Sequence, residues 1–228
     1  MILDYYVVMA DLNKLAKKID QEIRRLKVKN TANLRAIRKE YSKKLKEITP
    51  KEMLALARIL MKRYKHRFVA LEMIRNHPGT LESLKDKEIV ALAGKLNSWW
   101  TVDGFAGMIA GPAWQRGLLS DNLIHEWARS NDLWWRRLAL VCTVGLNARS
   151  WGGTGDVKRT LKVCRMLAGD HEDMVVKAMS WALRALIAVD RKAVIKFLKD
   201  YDDIIAARVK REVNNKLTTG LKYPRKKR

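Results

Sequence analysis

The stretch WRRLALVCT, residues 135–143, sets basic residues one turn ahead of an unbroken apolar run. Two other stretches are built alike: HRFVALEMI at 66–74 and VVKAMSWAL at 175–183. Each reads as the second half of a helix pair with one apolar face. The pairs recur at about 35–45 residues, so the period belongs to a pair of helices and not to a hairpin or a heptad.

Working outward from these segments, helical periodicity dominates. Residues 3–27 read as an amphipathic helix, and Leu34, Ile37, Arg38 and Tyr41 repeat at helical spacing in a second. In TPKEMLALARILMKRY, Thr49 stands as N-cap, Pro50 at the first helical position and Glu52 at the third, a capping box with a preset first turn. Further helices are expected over 64–76, from Thr80 to 95, and over 98–110, 113–129, 132–148, 155–168, 171–188, 190–200 and 202–217. The clearest loop is NARSWGGTGD at 147–156, and no stretch reads as a convincing strand. Only 12 Gly and 4 Pro punctuate the chain, which agrees with long helices. The expectation is an all-α fold, a HEAT-like helical-repeat solenoid with a concave basic face, over residues 1–220 as one domain. On periodicity alone a compact irregular bundle fits as well. Residues 221–228, LKYPRKKR, read as a basic tail, with Pro224 blocking helix continuation.

Charge narrows the partner. Lys and Arg number 47 against 24 Asp and Glu, a formal net charge of +23, which calls for a polyanion. Nucleic acid fits better than a membrane, because no run approaches the length of apolar residues that a spanning helix needs. The opening MILDYYVVMADL lacks a basic start and carries Asp4 and Asp11, so it reads as the first helix and not as a signal peptide. Cys142 and Cys164 make no disulfide framework, which suits a reducing, cytoplasmic compartment. His66, His77, His125 and His171 are scattered without ligand spacing, so no metal is expected, and WGGTGD lacks the Lys of a phosphate loop.

Three constellations could carry chemistry. In KLNSWWTVDGFAG, residues 95–107, Trp99 and Asp103 stand four apart and share a helix face. A core tryptophan with a capping aspartate fits that spacing too. In SNDLWWRRLALV, residues 130–141, Asp132 is a natural N-cap and Arg136 and Arg137 follow one turn on. In VVKAMSWALRAL, residues 175–186, Lys177, Trp181 and Arg184 lie along one side of a helix. Each could be a packing tryptophan beside a solvated cation, but aromatics that stack while cations hold phosphate explain their recurrence in so basic a chain. Arg35, Arg38, Lys39 and Lys43 line one side of the second helix and read as a solvated face, with DNA contact as the alternative.

These residues, Trp99 to Asp103, Ser130 to Arg137 and Lys177 to Arg184, together resemble the bacterial DNA alkylation repair glycosylases built from HEAT-like repeats, the AlkD family. LRAIRKEYSK and HRFVALEMI are similar to its first repeats. Trp100 departs from the pattern, as does the long 147–156 loop. The resemblance implies excision of cationic alkylated purines, 3-alkyladenine and 7-alkylguanine, from duplex DNA without metal or cofactor. It also implies that Trp99 and Trp181 contact the lesion nucleotide, that Asp103 is the catalytic carboxylate, and that Arg137 lies at the DNA backbone. Arg136, Arg184 and Lys177, cations beside the tryptophans, are expected to bind DNA with it. A monomer acting in the cytoplasm, at the nucleoid, is expected. The rival expectation is a member of the same fold that binds damaged or branched DNA without cutting it.

Overall fold

A computed structural model describes residues 2–224, and the last part of the expected basic tail, 225–228, lies outside the described residues. Every regular element among the described residues is a helix, and the chain groups into two compact units, Met1–Leu84 and Lys85–Arg228.

The first unit holds α1 (Ile2–Arg25), α2 (Thr31–Lys44), α3 (Pro50–Lys62) and α4 (Arg67–Asn76). Helix α1 packs on α2 and α3 on α4, and the two pairs stack with α1 on α3 and α2 on α4. That is the pattern of stacked helix pairs. Leu12, Ala16, Ile19 and Ile23 form the buried stripe of α1, spaced three or four apart as one helix face requires. The capping box of α3 forms as its sequence demands: Glu52 N–H donates to Thr49 Oγ1 at 3.2 Å and Thr49 N–H to Glu52 Oε2 at 2.7 Å. The basic side of α2 is not wholly solvated. Arg35 and Arg38 donate at 2.7 and 3.2 Å to the two oxygens of Glu72, a carboxylate buried on α4. A carboxylate buried there needs compensating charge, and α2 supplies it.

The second unit holds α5 (Asp86–Ala93), α6 (Trp99–Phe105), α7 (Gly111–Gln115), α8 (Asp121–Ala128), α9 (Leu133–Asn147), α10 (Val157–Met166), α11 (Asp173–Leu186), α12 (Arg191–Asp200) and α13 (Ala207–Thr219). A π-helical turn, Ala106–Ala110, joins α6 to α7, and a 3₁₀ turn, Arg149–Trp151, follows α9. Helix α9 is the hub. It is buried continuously from Arg137 to Asn147 and packs on α6, α7, α8, α10 and α11. A helix apolar on all sides can be satisfied only by neighbours on all sides. Its N-cap is Asp132, whose carboxylate accepts from Trp134 N–H at 2.8 Å. Helices α9, α11 and α13 pack in sequence, as do α8 and α10, giving the two layers of a helical repeat. The chain is thus an all-α helical-repeat protein, and the three matching stretches fall on α4, α9 and α11, the second members of their pairs.

Several expected helices are shorter or broken. The span 113–129 is interrupted because Gly117 takes φ +73° and Ser120 starts α8 afresh, its Oγ accepting from Leu123 N–H. After Thr80 the chain makes turns, stabilised by Thr80 Oγ1 against His77 Nδ1 at 2.6 Å and by Ser83 Oγ donating to Thr80 O, and the helix starts only at Asp86. The span 98–110 is α-helical to Phe105 and then widens to the π turn. Residues 202–206 turn before α13 begins at Ala207, later than the spacing predicts. Among the described residues no helix is long and apolar enough to cross a membrane.

Candidate functional site

Helix α6 carries the first constellation. Ser98 caps it, its Oγ accepting from Thr101 N–H at 3.3 Å while Ser98 N–H donates to Thr101 Oγ1 at 3.3 Å. Val102 and Phe105 enter the core, and Trp99 and Trp100 at the first turn remain more than half exposed, edge to face at 5.9 Å. Two indoles left in solvent on a structure with a full core are available for a ligand.

Asp103 turns toward α9 and meets Arg137. Arg137 Nε donates to Asp103 Oδ1 at 3.0 Å and Nη2 to Oδ2 at 2.8 Å, the parallel fork that a guanidinium and a carboxylate form best. Arg137 Nη1 donates to Met174 O at 2.6 Å, which ties α9 to the first turn of α11. The side chains are 6 % exposed for Arg137 and 17 % for Asp103, so the pair is largely out of water while the carboxylate keeps an opening. Burial pushes the Asp103 carboxyl above the ordinary carboxylate value, and the hydrogen bonds and charge of Arg137 pull against that rise. Each carboxylate oxygen spends one acceptor position on the fork and retains another.

Arg137 also lines an open cleft with Lys177, Trp181 and Arg184 of α11, Arg208 and Glu212 of α13, and Lys222 and Tyr223 beyond it. The polypeptide turns back there because Gly220 ends α13 with φ +76°. Glu212, nearly fully buried, organises the cations: it accepts from Ser180 Oγ at 2.6 Å and from Tyr223 Oη at 3.3 Å, with Lys222 Nζ at 3.3 Å. Burial raises its pKa, but those hydrogen bonds with the Lys222 and Arg184 charges outweigh it and hold Glu212 below the usual value. Arg184 Nε donates to Ser180 Oγ at 3.1 Å. Burial lowers the Arg184 pKa below its usual value, with the Glu212 charge pulling the other way. Lys177 pairs with Asp173 at 2.7 Å, and Asp173 also accepts from Arg208 Nη1. Five cations therefore meet three carboxylates, and the surplus is positive.

The structure brings Asp103, Arg137, Trp181, Arg184 and Lys177 to one region of the second unit, on α6, α9 and α11. Arg136 goes elsewhere: its Nε donates to Asp170 at 2.7 Å and its Nη1 to the carbonyls of Ser130 and Asn131, clamping the turn before α9. Sequence reasoning missed Arg208, Glu212, Lys222 and Tyr223, which lie 27 or more residues from Trp181 with no spacing signal to join them. It also left Trp151 in a loop, where its ring meets that of Trp181 at 5.6 Å and 80°.

No curated protein and no solved structure matches the chain. A family model described as DNA alkylation repair enzyme matches residues 7–217, reaching beyond the quoted motifs at both ends and covering α6, α9 and α11 whole. The all-α helical repeat accords with that match, and the chain belongs to the DNA alkylation repair enzyme family.

Proposed function

We propose that the protein is a DNA N-glycosylase that hydrolyses the C1′–N bond of cationic alkylated purines, 3-alkyladenine and 7-alkylguanine, in duplex DNA. One observation carries this reading: the Asp103 carboxylate is held by both oxygens on Arg137, beside a cationic cleft that Trp181 lines.

The chemistry needs little more. Glycosidic cleavage runs through a sugar that resembles an oxocarbenium ion, and ordinary glycosidases add an acid to protonate the leaving group. An N3- or N7-alkylpurine already carries a positive charge. When its C1′–N bond breaks, the electron pair goes to the purine, which departs neutral, and the charge passes to the deoxyribose. A fixed carboxylate stabilises that charge, water adds its oxygen to C1′, and the released proton goes to Asp103 or to solvent. Asp103 must be ionised for this, yet its burial favours the neutral form. Arg137 resolves the conflict by favouring the carboxylate, and it fixes its direction before the reaction starts. Trp99 and Trp181 supply faces that attract a cation by about 0.5–2 kcal/mol each. Arg184, Lys177, Arg208 and Lys222 of the cleft suit the phosphates that flank the lesion, while Arg137, its donors committed to Asp103 and Met174 O, serves the carboxylate, with Arg136 holding the turn that positions it.

The test is release of 7-methylguanine from methylated duplex DNA by wild type and by Asp103→Asn. The variant is expected to bind the duplex normally and to excise about 10²–10³-fold more slowly, the usual loss for one preorganised electrostatic partner. Equal rates would remove Asp103 from the mechanism. Tight, salt-dependent binding with no release by wild type would favour the non-cutting binder. Uracil, a neutral lesion, is expected to stay in place; its release at the rate of 7-methylguanine would defeat the proposal.

A further inference from the structure

The loop 148–156 resists the picture of a slack connector. Ala148 N–H donates to Val144 O at 2.8 Å, Trp151 N–H to Ala148 O at 2.9 Å and Gly155 N–H to Leu146 O at 2.8 Å. Asp156 N–H donates to Asn147 Oδ1 at 3.0 Å, and Gln115 Nε2 donates to Gly152 O. The loop is pinned to the end of α9 and to α7. What it delivers is one side chain. The Trp151 indole sits edge-to-face against Trp181. The same indole also stands against Gly107, in the π turn directly after the helix of Asp103. A methyl group built on Gly107 would lie 3.2, 3.4 and 3.5 Å from three carbons of that indole, and one on Gly145 of α9 would lie 3.8 Å from it.

We propose that Trp151 is a positioning residue for the lesion site: a wedge between the π turn after Asp103 and the ring of Trp181 that sets the distance and tilt of the aromatic wall relative to the carboxylate. Three observations support this. The indole meets Trp181 edge-to-face and leaves room for no more than a small residue at Gly107 of the π turn and beside Gly145 of α9. The π turn, a rare geometry that recurs at functional sites, puts Gly107 where even a methyl group would press on the indole. And an edge-to-face pair fixes ring tilt as an aliphatic contact does not. Trp151 touches no reacting atom in this scheme. It acts through Trp181, by keeping the wall where a reacting sugar would need it, since small misplacements of a positioned group cost rate steeply.

The activity arm of the test rests on the glycosylase reading, and the spectroscopic arm does not. With 5-fluorotryptophan incorporated, the ¹⁹F resonance of Trp181, assigned by its loss in Trp181→Phe, is expected to shift and broaden in Trp151→Leu. In Gly107→Ala, whose methyl pushes the indole by a few tenths of an ångström, it is expected to shift. It is expected to move back toward wild type when Trp151→Phe is added to Gly107→Ala, because the smaller ring makes room. In excision assays Trp151→Leu is expected to lower kcat by about 3–10-fold, the rate equivalent of one edge-to-face aromatic pair, with KM and duplex affinity unchanged. In a Trp181→Ala background it is expected to cost nothing further. An unmoved Trp181 resonance overturns the proposal, as does a loss that simply adds to that of Trp181→Ala. If wild type releases no alkylpurine while the resonance moves as described, the glycosylase reading fails and the wedge stands.

Discussion

Replacing Arg137 by Met removes the guanidinium but keeps much of its volume, and the consequence can be worked out from the pair. Asp103 loses both of its donors, at 3.0 and 2.8 Å, and Met174 O loses a third at 2.6 Å. The carboxylate stays where only 17 % of its side chain meets solvent. Breaking a buried ion pair from one side costs about 3–5 kcal/mol because a charge is left without a partner, and the partial opening at Asp103 puts the expectation near the lower end, about 3 kcal/mol. At this chain length that is roughly 6–12 °C in Tm. All eight tryptophans lie between residues 99 and 181, so urea unfolding followed by tryptophan fluorescence at neutral pH reads the unit that holds the pair. The double variant Asp103→Leu with Arg137→Met removes both charges and is expected to recover most of the loss, since apolar replacements of buried pairs are often neutral. The loss in Arg137→Met is also expected to shrink on acidification. Burial, now unopposed, raises the Asp103 pKa further, and a raised folded-state pKa penalises the charged form, so the penalty disappears once the carboxyl is protonated. A cost below about 1 kcal/mol, typical of exposed pairs, or no recovery in the double variant, would refute the reasoning.

The same carboxyl sets the acid side of the reaction. Because burial raises its pKa above the usual 3.8, the excision rate is expected to fall, as pH drops, at a higher pH than an ordinary aspartate would give, and Arg137→Gln is expected to move that limb higher still; a pH–rate profile decides. In the first unit, Glu72→Gln weakens the anchor of Arg35 and Arg38 and is expected to cost about 1–3 kcal/mol, followed by circular dichroism because this unit has no tryptophan. Asp20 is opposed by burial but held below its usual pKa by hydrogen bonds from Arg24, at 2.8 and 2.9 Å, and from His66 at 2.8 Å. A depressed folded-state pKa adds stability above the unfolded value of 3.8 that is lost as pH falls through the folded one. The stability gap between wild type and Asp20→Asn is therefore expected near neutrality and to close in acid, measured by denaturation across that range.

What could be read along the chain was what local chemistry dictates. Thr49, Pro50 and Glu52 announce the start of α3 because a capping box closes within four residues, and Asp132 announces α9 because its carboxylate caps the first turn two residues on. Trp99 and Asp103 could be matched because one helical turn joins them. The breaks were less legible. Gly117 and Ser120 split a span whose apolar pattern alone runs on, and the widening after Phe105 leaves no mark in periodicity.

The sequence by itself determined the all-helical character, the capped helix starts, the pairing period, the cationic surplus and the residues of the three constellations, because each depends on neighbours within a turn or on composition. Only the tertiary structure decided that Arg137 grips Asp103 from 34 residues away, that Arg136 turns aside to Asp170, and that Trp151 leans on Trp181. A buried charge or ring takes whatever partner packing brings within a few ångströms, and packing joins residues whose separation along the chain carries no trace of the contact.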